Sequence, residues 1–110
     1  MRRVLFGPFG AVLRAGFDDV LRDEEVEVLR TDGHDLVERL VEALPDVVVL
    51  DLDRDGTGSL VERLVREFPS VRVVACSARR PLMRVYPPFH HGESYEAALE
   101  PDAFTTVVQA

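Results

Sequence analysis

The sequence predicts a single small domain of the α/β class, on two observations: apolar runs of strand length alternate with segments of helical period, and the 110-residue chain is 46% hydrophobic. That length leaves room for one core and no separate effector domain. Neither repeats nor low-complexity tracts interrupt the alternation, and no linker divides it.

Arg3 to Phe6 reads as a first strand, ended by Gly7-Pro8. From Val12, the apolar positions Leu13, Phe17, Val20 and Leu21 recur at helical spacing. Glu25 to Val28 alternates strictly, as a half-exposed edge strand does. Asp35, followed three residues on by Glu38, is placed to cap a second helix, whose buried stripe is Leu36, Val37, Leu40, Val41 and Leu44 and which Pro45 stops. Val47 to Leu52, apolar except for Asp51, suits a central parallel strand covered on both faces. Ser59 and Glu62 have capping-box spacing for a third helix with a stripe of Leu60, Val61, Leu64, Val65 and Phe68, closed by Pro69. Val71 to Cys76 is a second buried strand. Prolines at 81, 87 and 88 then forbid a regular three-turn helix between Arg79 and Gly92, leaving at most a short helical turn from Leu82 to Tyr86. Ser94 to Ala98 has the character of a last short strand, and Pro101 opens a final helix with Ala103, Phe104, Val107 and Val108 on one face.

Charge and composition narrow the function. A net charge of −7 argues against nucleic acid as a direct partner, since tracking phosphates needs clustered positive charge. All 13 basic residues are Arg, which removes every lysine-based mechanism. No apolar run reaches membrane-spanning length, and Gly7, Pro8 and Gly10 break the only stretch that a secretion signal could use, so the expected compartment is the cytoplasm. The lone Cys76, inside an apolar run, reads as a buried thiol.

The order of elements and three strings resemble a response-regulator receiver, of the type that precedes LuxR-like DNA-binding domains. Pro45-Asp46-Val47-Val48-Val49-Leu50-Asp51 is similar to the segment ending in that family's phosphoacceptor; Phe68-Pro69-Ser70-Val71-Arg72-Val73-Val74 is similar to its run into the fourth strand; Cys76-Ser77-Ala78 resembles the place where a Ser or Thr senses the phosphoryl group. The match covers residues 3 to 78 and loosens beyond them. The resemblance implies a three-layer αβα flavodoxin-like sandwich with a parallel five-stranded sheet in the order 2-1-3-4-5, here with a degenerate fourth helix. It also implies that Asp51 holds the phosphoacceptor position and Ser77 the switch position. The family's acidic pair after the first strand is replaced by Pro8 and Phe9, and its lysine is absent. Phosphoryl transfer to a carboxylate gathers anionic groups, which a divalent cation and a fixed positive charge must offset. An arginine, bulkier and planar, replaces such a lysine poorly. The expectation is a non-catalytic pseudo-receiver that needs no cofactor and works in signal transduction through protein contacts, as a homodimer or an adaptor. A phosphorylatable receiver using Asp51 is the alternative.

A further alternative is calcium binding, since Asp51, Asp53, Asp55, Gly56 and Glu62 match the spacing of an EF-hand loop. A helix should enter that loop, however, and here a strand does; a solvated acidic loop containing Asp53 and Asp55 is the simpler reading. Gly56 to Ser59 could cradle an anion at a helix start, against the repulsion of three neighbouring aspartates. Asp32-Gly33-His34 matches only the opening of a cobalamin motif, with Val37 where glycine is required, and His90-His91 has no third ligand nearby for zinc. No nucleophile and base stand at recognisable spacing, so an enzyme is not expected. In receivers the face of the fourth helix, fifth strand and fifth helix carries dimerisation and output. On that side Tyr86, Phe89, Tyr95 and Phe104 are the candidate interface residues, unless Tyr86 and Phe89 fold back as a cover over the sheet.

Overall fold

A computed structural model describes all residues 1–110. Six strands, β1 (Arg2–Phe6), β2 (Val26–Arg30), β3 (Val47–Asp51), β4 (Arg72–Ser77), β5 (Leu82–Tyr86) and β6 (Tyr95–Ala98), form one sheet in the order β2-β1-β3-β4-β5-β6. Four helices accompany them: α1 (Ala11–Leu21), α2 (Leu36–Ala43), α3 (Thr57–Glu67) and α4 (Pro101–Gln109). The α/β class is as expected, and so is the start of the strand order, with β2 at an edge. The all-parallel, five-stranded sheet is not. β1, β2, β3 and β4 pair in parallel, whereas β5 is antiparallel to both β4 and β6.

The physical reason lies between Ser77 and Leu82. A parallel partner for β4 would require a crossover of a dozen or more residues. Here four residues, Ala78 to Pro81, turn the chain straight back, so that Ser77 faces Leu82 and Val73 faces Tyr86. Leu82 to Tyr86 is therefore a strand and not a helical turn; its burial alternates, with Met83 and Val85 at 0% exposure. Pro81 precedes the strand and Pro87 follows it, so neither removes a ladder hydrogen bond. No degenerate fourth helix exists: residues 78–94 contain no helix at all.

Side chains alternate between two cores. Val4, Phe6, Val47, Val49, Val74, Cys76, Met83 and Val85 meet α1 and α4 on one face, through Phe17, Leu21, Phe104, Val107 and Val108. Leu5, Val48, Leu50 and Val73 meet α2 and α3 on the other, through Leu36, Leu40, Val61 and Leu64. Phe104 is thus corrected from interface to core: it is 1% exposed, with its ring 4.8 Å from that of Phe17. No helix is long and apolar enough to cross a membrane.

Helix starts differ in detail from the sequence reading. Asp35 does occupy the N-cap of α2, but its carboxylate accepts from the Thr31 hydroxyl instead of a helix N–H. Helix α3 begins two residues before Ser59, with Gly56 at its N-cap in a left-handed conformation (φ 85°), so Ser59 and Glu62 form no capping box. Helix α2 ends on Leu44, also left-handed (φ 48°), because Pro45 disfavours a further α-helical residue before it.

Candidate functional site

Asp51 is the last residue of β3, at the carboxyl end of the sheet and half-buried. That position lies next to the point where strand order reverses, with β1 between β2 and β3, which is where open α/β sheets build their sites. The loop beyond it closes on itself. Oδ1 of Asp51 accepts from the Asp53 N–H at 2.9 Å, and the Asp51 carbonyl accepts from the Thr57 hydroxyl at 2.6 Å and the Arg54 N–H at 3.2 Å. An Asx turn thus uses part of the capacity of the carboxylate that a phosphoacceptor would need free.

Ser77, expected from the receiver resemblance at a switch position, is committed within the turn. The Ser77 hydroxyl, 1% exposed, donates to Oδ1 of Asp53 at 2.7 Å. Oδ2 of Asp53 accepts the Ala78 and Arg79 N–H groups at 2.9 and 3.2 Å, while Ser77 Oγ accepts the Arg80 N–H at 3.1 Å. Asp53 is therefore a clamp on the β4–β5 turn rather than a solvated loop residue. The Ser77 hydroxyl foremost holds its carboxyl below the ordinary aspartate range; desolvation, next in size, opposes it, and the Arg79 and Ala78 amides and the Arg79 charge add to the lowering. Such a link between the β3–α3 loop and the hairpin has no signature in local spacing, as Ser77 and Asp53 are 24 residues apart.

The Mg²⁺ that a receiver would hold does not fit here. Pro8 and Phe9 offer no side-chain oxygen, and Phe9 is committed to the aromatic core, 5.0 Å from Phe17 and 6.3 Å from Phe6, centroid to centroid. The adjoining crevice, about 380 Å³ between Gly7-Pro8-Phe9 and the end of β2, is walled by Arg14 and Arg30 with Thr31 and Asp32. Arg30 lies 5.2 Å above the Phe6 ring and pairs with Asp18. Partial burial foremost, and then the Arg14 charge, lower its pKa. Two guanidiniums beside the β1 end oppose a divalent cation electrostatically.

The geometry lends the calcium reading no support. No group of three or more His, Cys, Asp or Glu side chains is arranged to hold a metal ion. Asp53 turns to Ser77, Asp55 is exposed, and Glu62 borders a different cavity on the flank of α3. Cys76, fully buried beside Asp51, has its thiol pushed up to about 12, chiefly by burial and also by the Asp51 charge, so it stays protonated and unreactive.

The candidate interface residues separate. Tyr86 is half-buried and packs against the α2–α3 core, as the covering alternative expects. Phe89 and Tyr95 are exposed, at 66% and 47%. In comparisons with family models and with curated proteins, nothing matches the chain.

Proposed function

We propose that this chain is a non-catalytic signalling module of receiver-like build, acting through protein contacts, as a homodimer or an adaptor, without Mg²⁺-dependent phosphorylation. One observation supports the reading: the positions after β1 where a receiver needs its acidic pair are Pro8 and Phe9, and the crevice beside them is walled by Arg14 and Arg30, whereas phosphoryl transfer would need carboxylates and a metal ion there. The hydroxyl that would report a phosphoryl group is already spent on Asp53. Contacts are then left to the β5–β6 side, where Phe89 and Tyr95 expose aromatic surface of the kind that interfaces favour.

Incubation with acetyl phosphate and Mg²⁺, read by intact mass, tests the first half of this reading. No phosphoryl adduct is expected; a stoichiometric adduct that disappears in Asp51→Ala would establish a working receiver instead. Light scattering after size exclusion tests the second half. A dimer weakened by Tyr95→Glu supports self-association through this side, and a strict monomer leaves the adaptor role alone.

A further inference from the structure

The β4–β5 hairpin has a consequence on the α2–α3 face. A crossover connection would have laid a helix beside α3, over β4 and β5; with four residues in its place, that stretch of sheet is left without one. In its place is a cleft of about 870 Å³, within the range of small-molecule sites. Val71 and Tyr86 contribute to its floor, α3 forms one wall and the 87–94 segment the other. Asp51, Asp53 and Ser77 have no part in it, so the site does not depend on the receiver-like reading.

The second wall is fixed in an unusual shape. Phe89 and His91 both have left-handed backbones (φ 61° and 53°), followed by Gly92 at 88°. For a bulky residue such as phenylalanine this conformation is strained, and it persists only where neighbours enforce it. Two backbone bonds do so, from the Phe89 N–H to the Pro69 carbonyl at 2.8 Å and from the Glu93 N–H to the His90 carbonyl at 3.0 Å. The cleft is thereby held open beside an exposed aromatic ring.

Its lining combines an apolar body with positive charge. Val61, Val65, Val71, Pro69, Tyr86 and Phe89 supply carbon surface. Arg66 and Arg84 stand against a single lining carboxylate, Glu62, in a chain whose net charge is −7, with Arg66 also 3.8 Å from Glu67 outside the cleft. Arg84 is held in place: Nε and Nη2 both donate to Oε2 of Glu96, at 3.2 and 2.8 Å, which engages one edge of the fork. Glu96 foremost, and then the Tyr86 hydroxyl, keep this guanidinium more firmly charged than an ordinary arginine.

We propose that this cleft binds a small organic anion with a flat apolar body, an aryl carboxylate being the simplest member. The ring lies against Val65, Tyr86 and Phe89, and the carboxylate turns toward Arg84 and Arg66.

The test is a titration of the full chain with 2-naphthoate, followed by the amide resonances, with neutral 2-naphthylmethanol as comparator. Saturable one-to-one binding at or below about 1 mM is expected, with shifts confined to residues 58–71 and 84–94. The neutral analogue should bind at least about tenfold more weakly. Arg66→Gln should weaken binding about threefold and Glu62→Gln tighten it about twofold; both residues are exposed on α3, so these variants keep the fold. Arg84→Gln should weaken it about tenfold. Equal affinity for the neutral analogue, shifts outside the cleft, or the same response from Arg66→Gln and Glu62→Gln would overturn the proposal.

Discussion

Asp53 shows how far a single carboxylate can depart from what its neighbours in sequence suggest. In a run of alternating aspartates it has the look of one charge among several in water, yet it ties residues 77, 78 and 79 to the β3–α3 loop. Asp53→Ala is expected to accelerate amide exchange at Ala78 and Arg79 and to lower thermal stability. The pH dependence has a definite sign. The folded carboxyl titrates below its ordinary value of 3.8, so its contribution is complete above that value and is lost as pH falls through the lower folded value. The stability difference between parent and Asp53→Ala should therefore close on acidification below about pH 4, which melting curves across that range would show. A constant difference would mean that the charge on Asp53 is irrelevant to the clamp.

Helix α4 makes the corresponding point for an element. Its start was legible, because Pro101 suits a first helical turn and Ala103, Phe104, Val107 and Val108 share a face. Where that face goes was not. Phe104 sits among Phe6, Phe17 and Met83 on the sheet side it shares with α1. Phe104→Ala should cost about 3–5 kcal/mol in urea or guanidinium unfolding, as for a large aromatic removed from a closed core, whereas a change below about 1 kcal/mol would return the residue to the surface. The first seven elements were legible for a plain reason: strongly periodic stripes bounded by Pro45 and Pro69 leave one reading each. β5 was missed because its five residues contain Arg84 and lie between prolines, which argues against a buried element until the flanking positions are seen to fall outside the ladder. Its alternation of Met83 and Val85 with more exposed neighbours, after the four-residue gap Ala78-Arg79-Arg80-Pro81, was the signal available. At the site, sequence located Asp51 and Ser77 at neighbouring strand ends. It gave no hint that Arg14 meets Arg30, since such proximity depends on the parallel pairing of β1 with β2.

The molecule as a whole joins two kinds of sheet. From β1 to β4 each strand leads to the next in the chain through a helix, and β1 meets β3 across a chain separation of more than forty residues. From β4 to β6 the chain simply meanders, with four residues in the first connection and eight in the second. Short connections need little loop closure, while the β1–β3 pairing must lose the freedom of a long intervening segment before it gains any contact. The hairpin that reshapes one face of the protein should thus also set the order in which the chain becomes ordered, with residues 72–98 protected before β1 and β2 in pulse-labelled hydrogen exchange during refolding. Simultaneous protection along the whole sheet would show that the two halves acquire structure only together.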